Sequence, residues 1–152
     1  MEALWEFNDH LGPLKIIHLY NPSKGLKAIV VVDNVACGQA IGGVRMAPDV
    51  TTLEVVRLAR AMTLKNAMAE LPHGGGKAAI LANPKIPLTQ KEPLMRAFGD
   101  AIKDLMDYTP GPDMGTNEQC MAWVKAESGR AVGLPKGMGG IPLDEVGRRG
   151  LA

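Results

Sequence analysis

The sequence predicts an α/β domain of three layers, with a mixed sheet that is antiparallel at its start and crossover helices packed on it. Three observations carry this reading. Two β-branched runs flank a turn near the start, so the sheet opens as a hairpin. Capped stretches with apolar residues at helical spacing follow, separated by a short apolar run that suits a buried strand. The length of 152 residues is that of one ordinary domain, enough to bury roughly two-thirds of the unfolded chain's surface.

Taken in order, Lys15-Ile-Ile-His-Leu-Tyr20 and Lys27-Ala-Ile-Val-Val-Val-Asp33 are the hairpin strands, and Asn21-Pro-Ser-Lys-Gly25 has the residues of a turn. Residues 35–41 read as a third strand returning beside the hairpin. It ends in Gly42-Gly43, where the backbone is free to bend or to approach a ligand. Thr51-Thr-Leu-Glu54 has the form of a capping box and opens a helix that runs to about Ala69 without Gly or Pro. Val55, Leu58, Ala59 and Met62 form its apolar stripe, and Lys65 takes the next turn of that stripe, a core-side position. Leu71-Pro-His-Gly-Gly-Gly-Lys77 reads as a break with a flexible tri-glycine turn, leading into the strand Ala78-Ala-Ile-Leu81. Thr89-Gln-Lys-Glu92 caps a second helix with the stripe Leu94, Phe98, Ala101, Ile102 and Leu105. Thr109-Pro-Gly-Pro-Asp-Met-Gly115 reads as a rigid loop. A third helix starts around Thr116-Asn-Glu-Gln119 and stops before Gly129, with Cys120, Trp123 and Val124 inward. Residues 129–152 are rich in Gly and Pro without a sustained period, so the domain spans residues 1–128 and the remainder is a loop or linker leading away from it.

Composition excludes several functions. At 46% hydrophobic and 22% charged residues the chain is ordinary for a globular protein, unlike a disordered tail, a collagen-like repeat or a coiled coil. A net charge of +1, from 17 basic against 16 acidic residues, leaves no electrostatic footprint for nucleic acid. The longest aliphatic run, residues 28–32, is far short of the roughly 18 residues of a membrane helix, and the first residues lack the basic start of a signal peptide. A cytoplasmic protein with neither nucleic acid nor membrane as partner is expected. Cys37 and Cys120 read as two reduced, buried thiols, and His10, His18 and His73 are too dispersed for a metal site.

The glycine cluster formally matches G-x-G-x-x-A over Gly74 to Ala79, but a dinucleotide fingerprint stands between a strand and the helix it opens. Here the order is helix, loop, strand. The cluster also fails as a phosphate-binding P-loop, because Ala78 replaces the Ser or Thr that would hold magnesium. Lys65 and Lys77 offer more. If the helix and the glycine turn bring them together, two ammonium groups share one pocket, where repulsion and desolvation favour a neutral amine and the remaining cation anchors a carboxylate. The alternative reading has Lys65 extending its ammonium to solvent and Lys77 as surface charge. Asp113 is likewise open between a turn or capping residue and the carboxylate that lysine chemistry is commonly paired with.

Gly42-Gly-Val-Arg-Met46, Met62-Thr-Leu-Lys-Asn-Ala67, Pro72-His-Gly-Gly-Gly-Lys77 and Gly111-Pro-Asp-Met-Gly-Thr116 together resemble, in order and spacing, the N-terminal domain of the glutamate/leucine/phenylalanine/valine dehydrogenases. Gly139-Gly-Ile-Pro-Leu143 resembles the segment leading to that family's nucleotide-binding domain. The resemblance implies reversible oxidative deamination of an L-amino acid to a 2-oxo acid and ammonia. It implies that Lys65 binds the substrate α-carboxylate, that Lys77 activates the attacking water, and that Asp113 moves protons to and from the amino group. Gly42 and Gly43 would give the backbone room beside the substrate. It also implies a homo-oligomer and NAD or NADP as cofactor.

Two departures from the family pattern shape these expectations. Glutamate-specific members carry a lysine immediately before the Gly-Gly, where this sequence has Ile41, so an apolar amino acid is expected over glutamate. Gly147-Arg-Arg-Gly150 stands where the family has Gly-Ala-Thr-Gly, and no cofactor domain follows, so the chain alone is expected to bind no cofactor and to be inactive. The alternatives are a non-catalytic assembly module or truncated product that keeps only subunit association, and a glutamate dehydrogenase in which Ile41 does not report specificity.

Overall fold

A computed structural model describes residues 4–140. Strands β1 (Lys15–Asn21) and β2 (Leu26–Asn34) form the expected hairpin, with Lys15 opposite Val32 and Asn21 opposite Leu26. Then come β3 (Ala40–Met46), α1 (Thr52–Met68), β4 (Gly74–Ile80), α2 (Leu88–Ala101), β5 (Tyr108–Pro112) and α3 (Glu118–Ser128). The five-stranded sheet has the order β1-β2-β4-β3-β5. Its first pairings are antiparallel, while β3 pairs parallel with both β4 and β5. The mixed sheet and the α/β class are therefore as the sequence predicts.

Alternation along the strands sorts the core into two layers. Leu26, Ala28, Val30 and Val32 of β2, with Ala78 and Ile80 of β4, join Leu94, Phe98, Ile102, Met121 and Val124 in one cluster under α2 and α3. Ile29, Val31 and Ala79 meet Val55, Val56 and Ala59 of α1 on the opposite face. The coverage of this second face is partial. Helix α1 packs on β4 and β2 and touches β3 only lightly, so among the described residues no helix lies across the β3 and β5 end of the sheet there.

Several local expectations are corrected. β3 does not return beside the hairpin: β4 inserts between β2 and β3, and Gly42-Gly43 lie in the middle of β3 rather than at its end. The tri-glycine stretch is not a turn but the first half of β4, which is buried along its whole length. Its glycines are required by close approach. A Cβ on Gly75 would stand 2.1 Å from the backbone nitrogen of Thr63 on α1, and one on Gly74 would stand 1.9 Å from the carbonyl oxygen of Asn34. Small residues on both faces are what let a strand sit centrally under a helix.

Residues 108–112 are likewise a strand, not a loop. β5 has one strand neighbour, and Pro110 and Pro112 are tolerated because their missing N–H groups fall on the outer edge. On that edge the Pro110 carbonyl accepts from the Val132 N–H at 2.9 Å.

The helix caps divide between agreement and correction. Thr51 caps α1 as expected, its Oγ1 accepting from the Glu54 N–H at 3.2 Å. Asn117 caps α3 by accepting from the Cys120 N–H at 3.0 Å, and Gly129 closes that helix in the left-handed region. In α2, however, Pro87 occupies the N-cap without a side-chain bond and Thr89 is already helical. Of its stripe, Ala101 is exposed, whereas Met95, Ala97 and Gly99 are buried.

Cys120 is buried, but Cys37 is exposed in the turn between β2 and β3. Beyond α3 the chain still packs on the domain as far as Leu134, which is 9% exposed. Gly147-Arg-Arg-Gly150 and residues 141–143 of the segment resembling the interdomain lead lie outside the described residues.

Candidate active site

The uncovered end of the sheet is where the chemistry gathers. Ala40, Val44 and Met46 of β3 face the α2 and α3 layer. By alternation Ile41, Gly43 and Arg45 face the other way, toward α1. Ala78, Ile80 and Tyr108 are in the same α2 and α3 cluster, so Lys77 of β4 and Thr109 and Gly111 of β5 also face the α1 side. Asp113 follows directly on the end of β5.

These residues form one linked charge cluster. Lys77 Nζ donates to Asp113 Oδ1 at 3.1 Å, and Arg45 Nε donates to Asp113 Oδ2 at 2.8 Å. Arg45 Nη1 also donates to Glu54 Oε1 at 3.0 Å, tying the strand to the first turn of α1. The Lys77 and Asp113 side chains are 8% and 19% exposed, which makes this a recessed pair rather than a surface one. The Asp113 backbone is fixed by Thr116, whose Oγ1 accepts from the Asp113 N–H at 3.0 Å while its hydroxyl donates to the Val44 carbonyl at 2.8 Å.

Gly43 makes room for the carboxylate. A Cβ there would lie 2.7 Å from Asp113 Cβ and from the Pro112 carbonyl oxygen, so any larger residue would displace Asp113. At Gly42 a Cβ would stand 1.6 Å from the Gly76 carbonyl oxygen in the neighbouring strand. The Gly42 carbonyl itself accepts from Tyr108 Oη at 2.8 Å, and burial pushes that phenol far above its ordinary range.

Burial by itself would push the Asp113 carboxyl up. The hydrogen bond from Arg45 and the charge and hydrogen bond of Lys77 outweigh it and hold the group below its ordinary value. Burial similarly opposes the charge of Arg45, yet Asp113 and Glu54 raise its guanidinium further above its ordinary value.

Lys77 and Asp113 are thus brought together, and the immediate charged neighbour of Lys77 is a carboxylate, not a second ammonium. Lys65 does not hold a core-side position but is exposed on α1. It continues the row of Leu58 and Met62, which is only half-buried, while the buried seam runs through Val55, Val56 and Ala59 to Asn66. Asn66 Nδ2 donates to the Gly74 carbonyl at 2.8 Å and pins α1 over β4. Ile41 is half-buried, with Gly75 and Thr109 as its register partners.

His10 and His18 are exposed, and His18 Nε2 lies 3.0 Å from Thr52 Oγ1. His73 is half-buried beside the glycines. Reading residue by residue missed Arg45 and Glu54 as members of the cluster. The signal was available in the period of two, which places residue 45 on the same face as residue 43 once the strand is carried through the glycines.

The family model described as Glu/Leu/Phe/Val dehydrogenase, dimerisation domain, matches residues 6–130. The chain belongs to this dehydrogenase family. It is 38% identical over 146 residues to the phenylalanine dehydrogenase of Thermoactinomyces intermedius, a match covering 92% of this chain and 39% of that enzyme. It is also 38% identical over 107 residues to the NADP(+)-dependent glutamate dehydrogenase of Pyrobaculum calidifontis, covering 68% of this chain and 25% of the relative.

Among solved structures, the hetero-hexameric glutamate dehydrogenase of Thermus thermophilus in its Leu-bound form superposes with a TM-score of 0.80 at 29% identity, over 92% of this chain and 42% of that one. The L-tryptophan dehydrogenase of Nostoc punctiforme gives 0.76 at 28% identity, over 85% of this chain and 39% of that one. The chain therefore spans well under half the length of these family members. Among the described residues no helix is long and apolar enough to cross a membrane, and no group of three or more His, Cys, Asp or Glu side chains could hold a metal ion.

Proposed function

We propose that this chain supplies the substrate half of an NAD(P)-dependent amino-acid dehydrogenase, acting on an L-amino acid with an apolar side chain. The observation that carries the reading is the recessed Lys77–Asp113 pair, 3.1 Å apart at the uncovered end of the sheet, in a chain of this family. In this reading the exposed Lys65 ammonium binds the substrate α-carboxylate from the flank of α1. Gly43 leaves the floor beside Asp113 without a side chain, while Gly42, on the other face by the same alternation, lets β3 lie close to β4. Lys77 orients and activates the water that attacks the imino carbon, and Asp113 passes protons to and from the nitrogen. The reading depends on a pair held in hydrogen-bond contact before substrate arrives, which is the preorganisation that proton transfer requires.

Ile41 supports the apolar preference. A substrate carboxylate directed at its aliphatic side chain would be desolvated without a cation there, a mismatch costing about 2 kcal/mol or more. The glycine cluster does not fit a dinucleotide: Gly74 to Gly76 are locked inside β4 against Thr63 and Asn34, and a strand rather than a helix continues after them. In this reading the described residues hold the amino acid, and the hydride acceptor is presented from elsewhere. A homo-oligomer in the cytosol completes the reading, supported by the match to a domain described as one of dimerisation.

The test is an NMR titration of the labelled chain with 4-methyl-2-oxopentanoate, phenylpyruvate and 2-oxoglutarate, alongside an absorbance assay with NAD or NADP and the matching amino acids. The expected result is binding of the two apolar acids, with shifts centred on Lys65, Lys77 and Asp113, weaker binding of 2-oxoglutarate, and no reduced cofactor. Preferential binding of 2-oxoglutarate would overturn the substrate preference. The absence of any shift at Lys77 and Asp113 would overturn the site. Sedimentation in parallel should show a dimer or larger species.

A further inference from the structure

The two oxygens of Asp113 are held differently. Oδ1 accepts from Lys77, a group that can give up its proton, whereas Oδ2 accepts from the guanidinium of Arg45, which keeps its protons at any pH relevant to the fold. Arg45 is in turn anchored by Glu54 on α1, and it is largely enclosed, with its side chain 18% exposed. Its Nε and Nη1 reach two carboxylates at once, something that the planar fork of arginine allows and a lysine ammonium at that position would not reproduce.

We propose that Arg45 is a positioning residue for Asp113: by holding Oδ2 it fixes the rotation of the carboxylate and leaves Oδ1 as the oxygen that exchanges protons with Lys77 and the substrate nitrogen. The inference rests on the roles given to Lys77 and Asp113 above and adds one to Arg45. Its proton balance is simple. When Oδ1 takes a proton from a substrate ammonium, the ammonium becomes a neutral amine and Asp113 a neutral carboxyl that still accepts from Arg45 at Oδ2. The return of the proton restores both charges.

Arg45 keeps Oδ2 engaged in either state, so the carboxyl does not rotate to present the wrong oxygen. Among the described residues, the charged and titratable groups facing Asp113 are Lys77 from β4 and Arg45 from β3, with Tyr108 of β5 close enough to feel its charge. Glu54 of α1 is tied to it through Arg45.

The experiment follows the Asp113 side-chain carboxyl carbon by NMR across an acid titration of the whole chain, in wild type, Arg45→Met, Arg45→Lys and Glu54→Gln. Arg45→Met should raise the Asp113 midpoint by about one pH unit, a roughly tenfold gain in proton affinity. Arg45→Lys, which keeps the charge but not the fork, should give an intermediate value. Glu54→Gln should leave Asp113 at or below its wild-type midpoint, since it frees Arg45 to serve Asp113 alone. An unchanged midpoint in a folded Arg45→Met variant overturns the proposal. If that variant does not fold, a wild-type midpoint in Arg45→Lys overturns it instead. Binding of phenylpyruvate to each variant separates the two readings: loss of binding in wild type would remove the proposed substrate site, while the titrations would still decide whether Arg45 governs Asp113.

Discussion

At the scale of single residues, the balance of forces on Asp113 sets a pH dependence whose sign can be worked out. Its carboxyl is held below the ordinary value by Arg45 and Lys77, so the folded chain binds fewer protons at this position than the unfolded one. The stability it contributes is present in full above the unfolded value of about 3.9 and is lost as pH falls through the lower folded value. Asp113→Asn removes the anion and leaves Arg45 and Lys77 facing each other. At neutral pH this should cost about 1 kcal/mol, a modest figure because the pair is not fully enclosed. Urea unfolding at a series of pH values should show the difference between variant and wild type shrinking below about pH 4, where the wild type loses its own contribution. A difference constant with pH would mean that the loss is one of packing and not of charge.

At the scale of elements, strand β4 shows how a sequence can be misread when glycine is taken only as freedom. A Cβ at Gly75 would meet backbone atoms of Thr63, 2.1 Å from N and 2.5 Å from Cα, and a helix backbone cannot give way as a side chain can. Gly75→Ala should therefore destabilise the fold by about 3 kcal/mol, at the upper end of overpacking costs, by lifting α1 off β4. Gly25→Ala in the hairpin turn meets nothing within 4 Å and pays only for its φ of +68°, about 1 kcal/mol. Thermal unfolding of the two variants side by side tests the contrast, and equal losses would mean that the helix does not sit on the strand as described. The same close approach places Lys77, two residues on, beneath the flank of α1, so the stretch expected to be a flexible turn is a rigid strand that supports the candidate site.

At the scale of the whole molecule, Arg130 closes the domain. Its guanidinium donates to the carbonyls of Tyr108 at 2.7 Å, Ile102 at 2.7 Å and Lys103 at 3.1 Å, and also to that of Leu105. One side chain thereby ties the end of α2, the start of β5 and the chain beyond α3, and burial lowers its readiness to hold charge. Arg130→Ala would strand several partly buried carbonyls, at a cost of about 2–3 kcal/mol. A fall in Tm of roughly 4–12 °C should follow, readable by calorimetry. β5 carries Asp113 at its end, so the same variant should weaken the binding of phenylpyruvate through the position of that strand. A fall in Tm with binding unchanged would show that β5 keeps its place without this tie.

What the sequence determined by itself was whatever local rules govern. The hairpin followed from β-branched runs about a turn, helix α1 from Thr51 as its cap, the start of α3 from the stretch Thr116-Asn-Glu-Gln119, and its stop from Gly129. Four motifs at fixed spacing were enough for the family and for naming Lys77 and Asp113 together. What the tertiary structure decided were the matters of who lies beside whom. Strand order depends on β4 being thin enough to slip between β2 and β3 under α1, which no window of sequence displays. Whether Lys65 faces the seam or the flank turned on a rotation of the helix fixed by Asn66 and Thr63 at β4, and the apolar stripe alone was too broad to choose. The clamp of Arg45 on Asp113 joins residues 68 apart in the chain. It exists because parallel pairing carries β3 and β5 side by side with their charged ends on one face, a long-range register that local patterns do not encode.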